Sequence, residues 1–400
     1  MKKVLSLLLS VCMMATLFGC GNASSSQATN NVVDSNNEVS ADIAKDLKFK
    51  FGGLGPLTGG AAVYGTAVKN GTQIAIDEIN AKGGINGYQV EYKCEDDEHD
   101  AEKSVNGYNN LKDWGMQLLI GTVTSSPCIA VAAESANDNM FQITPSGTAV
   151  DCVANPNVFR VCFSDPNQGI ASANAVKSMN LGTKVGIIYD SSDVYSSGIY
   201  EKFVETAKTN GIEIVAEEPF TADSKTDFTT QLTKIKNAGA DLLFLPFYYT
   251  EIALVLNQAE SIGYKPKYLS CDGLDGILSL PNFDTSLAED VMLLIPFSSN
   301  ATDDLTVKFV NEYKNRHNEV PNQFAADAYD AAFIVKQCLE NANATPDMSV
   351  SELCEACKSA MTQISYTGLT GQNINWTSDG EPQKDPLIAV IKNGEYVLVD

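Results

Sequence analysis

The chain has 400 residues, of which 27 are Lys or Arg and 50 are Asp or Glu, giving a formal charge of −23 at pH 7; 44% are hydrophobic. An acidic balance of that size excludes nucleic acid and a polybasic membrane contact as partners, because both need a cationic surface. Length and hydrophobic share suffice for two domains of ordinary size.

The first element is a leader. Lys2 and Lys3 precede an apolar run from Val4 to Phe18, which is too short and too abruptly ended for a transmembrane helix. The run stops at Leu17-Phe18-Gly19-Cys20, which resembles the lipobox of bacterial lipoproteins. That resemblance implies cleavage after Gly19, lipidation of the Cys20 thiol and attachment to the membrane through the lipid. Residues 1–19 are then a signal peptide. Residues 20–46, rich in Ser, Asn and Ala, cannot bury enough apolar surface to offset their ordering entropy, and they read as a flexible tether.

The body opens on "LKFKF", then "GGLGPLTGG" at residues 52–60, then a helix-period run. Strand, glycine-rich turn and helix is the arrangement that cradles phosphates. Here Thr58 stands where the third glycine of the dinucleotide fingerprint belongs, Pro56 lacks an N–H, and no lysine follows Gly59 or Gly60. These departures argue against a nucleotide. A loop of this kind ahead of a helix N-terminus still favours an anion, and a carboxylate fits as well as a phosphate.

Onward, apolar β-rich runs alternate with amphipathic stretches. The first half offers "FKFGGL", "YQVEYKC", "MQLLIGTV", "MFQITP" and "VFRVCF"; the second offers "TKVGIIYD", "IEIVAEEPF", "ADLLFLPFY", "PKYLSCDG" and "EDVMLLIPF". In "DFTTQLTKIKNAGA", Phe228, Leu232 and Ile235 share a helical face that Gly239 ends. Near-continuous apolar strands alternating twice over with helices predict two parallel α/β sheets. Ligands of such sheets sit beyond the C-terminal strand ends. At those ends stand Thr124, Ser125 and Ser126; Ser146 and Thr148; Asp193 and Tyr195; Tyr248 and Tyr249; and Asp272 with Gly273. Hydroxyls gather in the first half, aromatics and a carboxylate in the second. Hydroxyls with a helix N-terminus suit a carboxylate, and a buried Asp suits an ammonium. An α-amino acid carries both.

Ten cysteines are present. Cys354-x-x-Cys357 lies on the apolar stripe of a helix and reads as core rather than as a metal or redox pair. Cys152 and Cys162 flank a turn and could pair locally. Neither His99 nor His317 sits by a predicted strand end and no G-x-S-x-G occurs, so a Ser–His–Asp hydrolase is disfavoured.

The chain resembles the branched-chain amino acid-binding subfamily of solute-binding proteins, which serve ABC importers. The resemblance rests on "GPLTGGAAVYG", "AIDEINAKGGINGYQVE", "LLIGTVTSS", "QITPSGTA" and "GLTGQNINWTSDGEPQKDPLIAVIKNGEYV". It implies a type I periplasmic binding protein fold: an α/β chain of two Rossmann-like lobes with parallel sheets, joined by three crossovers. The crossovers fall near Asp165, Pro296 and Thr367, so lobe one is 47–165 plus 297–366 and lobe two is 166–296 plus 367–400. It also implies that Ser125, Ser146 and Thr148 hold a ligand carboxylate and part of its amine. Asp272 would meet the α-ammonium, and Tyr64, Tyr195 and Tyr248 would line the cleft. Departures from the family pattern are Asp272 where glutamate is common, Ser146 where alanine is common, and His99 at the place of a family disulfide.

Together these features predict a monomeric binding protein with no catalytic residue, metal or cofactor. Its partners would be an amino acid-like ligand and ABC permease subunits. The alternatives are a ligand-sensing receptor module, disfavoured because no transmembrane or signalling segment follows residue 400, and a binder of an amide or organic acid.

Overall fold

The computed structural model describes residues 47–399; the leader, the tether and Cys20 lie outside the described residues. The first five strands are β1 (Lys48–Gly55), β2 (Gln89–Asp96), β3 (Leu118–Gly121), β4 (Gln142–Thr144) and β5 (Val158–Arg160), with helices α1 (Ala62–Ala81), α2 (Ala101–Trp114) and α3 (Ser125–Asn137) between them. They form one parallel sheet in the order β2-β1-β3-β4-β5. All four residues of β3, Leu-Leu-Ile-Gly, are buried, as a strand covered by helices on both faces requires.

The chain then crosses through α4 (Asp165–Ser178) into a second unit. This contains β6 (Lys184–Asp190), α5 (Val194–Asn210), β7 (Glu213–Phe220), α6 (Thr229–Ala238), β8 (Leu242–Leu245), α7 (Tyr249–Ser261), β9 (Lys267–Ser270) and β10 (Met292–Ile295). As the apolar spacing predicts, Leu232 and Ile235 are buried on α6. Gly239 closes that helix in the left-handed conformation at φ 78°, with its N–H on the Ile235 and Lys236 carbonyls.

Helices α8 (Asp304–His317), α9 (Gln323–Asn341) and α10 (Val350–Met361) follow. Helix α9 lies against α1 so closely that a Cβ on Gly71 would stand 2.1 Å from the Ala325 carbonyl oxygen. Cys354 and Cys357 are buried in the core of this region, and the eight cysteines described are all free thiols, Cys152 and Cys162 included.

The chain finally returns to the second sheet as β11 (Leu387–Lys392) and β12 (Glu395–Leu398), completing the order β12-β11-β10-β9-β8-β6-β7. These two strands run antiparallel, so the second sheet is mixed rather than wholly parallel. Their hairpin turns on Asn393-Gly394, both at positive φ (52° and 75°), a pair suited to the tight turn between twisted strands. In both sheets the strand order reverses beside the first strand of the unit, which opens a crevice at the C-terminal strand ends.

The glycine-rich turn after β1 does hold an anion, and the anion is the chain's own. Asp96, at the end of β2, accepts the Leu57 N–H at 2.7 Å, the Thr58 N–H at 3.4 Å and the Thr58 hydroxyl at 2.7 Å. The amides that could have met a phosphate are thus occupied.

Arg160 clamps two of the crossing segments together. It is fully buried and donates to the Gly147 and Ala149 carbonyls and to Glu381, at 2.9, 3.0 and 3.0 Å. Its own carbonyl accepts the Trp376 indole N–H at 2.7 Å. Arg160→Met strands two buried carbonyls and a carboxylate, and should cost about 3–5 kcal/mol. Glu381→Gln leaves the carbonyl bonds intact and should cost about 1 kcal/mol. Denaturant unfolding measures both; small and equal losses would contradict the clamp.

Candidate functional site

The loops leaving the two sheets converge on one small cavity, whose free interior of about 10 Å³ is room for about one water molecule. From the first sheet come Val123, Thr124 and Ser125 after β3, Ser146 and Thr148 after β4, and Tyr64 from the start of α1. From the second come Tyr195 at the start of α5, Tyr248 after β8, and Asp272 with Gly273 after β9; Phe324 at the start of α9 completes the lining. The structure therefore brings together all seven body residues that the sequence singles out. Thr124 and Gly273, which the sequence also places at these strand ends, line it too, and Val123 and Phe324, which were not expected, are added.

Asp272 is the pivotal group. It is 4% exposed, and its Oδ1 accepts the Tyr195 hydroxyl proton at 2.7 Å. The same hydroxyl accepts the Gly273 N–H at 2.9 Å, so Tyr195 is locked between carboxylate and backbone. A Cβ on Gly273 would meet that hydroxyl at 2.7 Å and the Phe247 carbonyl at 2.9 Å, so only glycine allows this approach. The Asp272 N–H donates to Gln168 Oε1 at 3.0 Å, and its carbonyl accepts from Gln323 Nε2 at 3.2 Å. Burial pushes the Asp272 carboxyl up to about 6, an effect the Tyr195 and Gln168 hydrogen bonds partly offset. No Lys, Arg or His lines the cavity to neutralise it.

Opposite lies the N-terminus of α3. Its Thr124 cap makes no side-chain hydrogen bond to the first turn, so that end of the helix faces the cavity with its positive dipole. Two hydroxyls here are partly committed to the protein. Ser125 Oγ accepts the Ala149 N–H at 3.2 Å, and the Ser146 hydroxyl donates to the Val123 carbonyl at 2.7 Å. Ser146 thus secures the β3 loop as well as lining the cavity.

Aromatic rings form the remaining wall. Tyr195 and Tyr248 stack at 4.9 Å with planes 8° apart, and Tyr64 lies 4.4 Å from Phe324. Burial raises the Tyr64, Tyr195 and Tyr248 hydroxyls well above their usual range, so they remain protonated donors. The Tyr64 hydroxyl donates to the Gly273 carbonyl, and the Thr250 hydroxyl donates to the Gly60 carbonyl at 2.9 Å. The two units are therefore joined across the cavity by direct bonds.

One sequence expectation is corrected. His99 does lie by a strand end, because β2 runs to Asp96 rather than stopping at Cys94. Its Nδ1 is 2.8 Å from the Thr124 hydroxyl oxygen. The charged run "DDEHD" hides that strand end, since it breaks the apolar pattern before pairing stops.

The chain matches the periplasmic binding protein family over residues 48–395, and it belongs to that family. It is 30% identical over 296 residues to a Leu/Ile/Val-binding protein, BraC3, of Rhizobium johnstonii, covering 74% of this chain and 79% of that one. Among solved structures, the leucine-binding protein LivK of Thermotoga maritima superposes with a TM-score of 0.79 at 25% identity, covering 88% of this chain and 98% of that one. The branched-chain amino acid transporter substrate-binding protein LivJ of Streptococcus pneumoniae, in complex with isoleucine, gives 0.78 at 28% identity, covering 88% and 100%. The chain is of this branched-chain amino acid type.

The buried acids make stability depend on pH. Burial pushes Asp272, Asp193 and Asp275 up to about 6, and Asp97 and Asp327 to about 7. Each then binds a proton more readily folded than unfolded, so the native state gains protons between about pH 4 and pH 7. The stability this gives is present in acid and is lost as pH rises through the raised values. The unliganded protein should be less stable at about pH 7.5 than at about pH 5, and Asp272→Asn should flatten part of that slope. Denaturant midpoints across the interval test this; a rising wild-type profile, or an unchanged slope in the variant, would contradict it.

Proposed function

We propose that this periplasmic binding protein captures a small α-amino acid between its lobes and delivers it to an ABC permease, without catalysis and without a cofactor. The observation that carries the reading is the buried Asp272 carboxylate, set across a small closed cavity from the open N-terminus of α3. A zwitterion supplies what each end lacks, an ammonium for Asp272 and a carboxylate for the helix terminus. Ser125, Ser146 and Thr148 flank the carboxylate, while Tyr64, Tyr195, Tyr248 and Phe324 enclose the side chain. The uncharged, aromatic wall favours a small apolar side chain, in keeping with relatives named for leucine, isoleucine and valine.

The lobes divide near Asp165, Pro296 and Thr367. The protein works as a monomer, held to the outer face of the membrane by a lipid on Cys20.

A thermal-shift panel of the L-amino acids, their des-amino acids and short amides tests the ligand class. At least one small apolar amino acid should stabilise the protein, by about 2.7 kcal/mol at 100 times its Kd. Stabilisation only by des-amino acids or amides would overturn the reading. Separately, Cys20→Ser should release the protein from washed membranes with ligand binding unchanged; its retention there would overturn the anchor.

A further inference from the structure

We propose that His99 is an interlobe latch: its imidazole joins the Thr124 hydroxyl of the first unit to the Tyr248 ring of the second and holds the cavity shut. The proposal rests on the amino-acid reading only in what the cavity holds. Thr124 and Tyr248 both line the cavity, from opposite sides, and His99 touches both. Its Nδ1 lies 2.8 Å from Thr124 Oγ1, and its ring meets Tyr248 edge-on, with centroids 5.4 Å apart and planes at 85°.

The backbone delivers the ring to this position. His99 sits at φ 61°, a left-handed conformation uncommon for a residue with a side chain, and its N–H is fixed on Asp97 Oδ1 at 2.9 Å. Asp97 is itself fully buried. A strained loop anchored on a buried carboxylate, with its one ring placed between two cavity walls, is built for position.

The charged groups facing the ring come from both units. Asp100 lies on its own loop, Lys225 on the segment before α6 and Asp190 at the end of β6. Lys225 is also paired with Glu251 of α7 at 3.3 Å. Burial, and then the Lys225 cation, push His99 below its usual range, while Asp100 and Asp190 act in the opposite direction. Opening the cleft removes that burial and carries Lys225 and Asp190 away. The open state therefore binds the proton more readily, and acid favours opening. By linkage, ligand affinity should fall on acidification through the histidine range by up to about tenfold per pH unit, over and above the share due to Asp272.

The full mature chain and its His99→Asn variant make the comparison. Asparagine tolerates the left-handed backbone and keeps an acceptor near Nδ1, but it cannot titrate in this range and lacks the ring. Calorimetry with L-leucine from about pH 8 to about pH 5 should show a steeper loss of affinity in wild type than in the variant. Equal slopes would overturn the latch. Failure of L-leucine to bind wild type at about pH 7.5 would instead count against leucine as the ligand and leave the latch to a second measurement. Hydrogen exchange of residues 120–126 and 246–252 in the unliganded proteins, corrected for intrinsic rates, supplies it. Protection should fall between about pH 7.5 and about pH 5.5 in wild type and hold in His99→Asn. The same pH dependence in both proteins would overturn the latch whether or not leucine binds.

Discussion

A carboxylate closed off from water needs a cation, and the side chains around Asp272 do not supply one. That constraint organises the site. Tyr195 gives the carboxylate one hydrogen bond, and Gln168 and Gln323 fix its backbone, yet the charge itself is left to be matched. Protonation of Asp272 would relieve that cost, and burial shifts its carboxyl in that direction. On the proposed function a ligand ammonium would relieve it more fully, and closure of the lobes would be favoured with that charge inside.

The same physics, answered differently, explains the other anion-friendly places in the first unit. The glycine-rich turn after β1 looks like a phosphate cradle, but Asp96 fills its amides from within. The N-terminus of α3 has no such internal partner. One fold thus carries two sites of similar chemistry, one satisfied by the chain and one turned to the cavity. What separates them is whether a neighbouring strand ends in an acid within reach.

Much of this was legible in the sequence because it is local. The ten apolar runs give ten strands, and polar residues just beyond them fall at strand ends for geometric reasons. The hairpin β11–β12 was not read as strands although Leu387–Ile391 is a continuous apolar run; that it returns to pair antiparallel with β10 is a long-range contact no local pattern records. Phe324 escaped because it opens a helix whose early residues are mostly small and apolar, and nothing local shows that this end of α9 reaches the cavity. His99 escaped because its partners, Thr124 and Tyr248, lie 25 and 149 positions away in sequence. Contacts between units are set by how the lobes meet, and a periodicity carries no record of that.

The most direct test of the account is the coupling between the ligand's ammonium and Asp272. Isothermal calorimetry would compare one amino acid with its des-amino analogue, on wild type and on Asp272→Asn. The account predicts that the substitution weakens the amino acid by about 2–5 kcal/mol and the analogue by far less, as for one partner of a buried charge pair. Equal losses for both ligands, a coupling of zero, would contradict it.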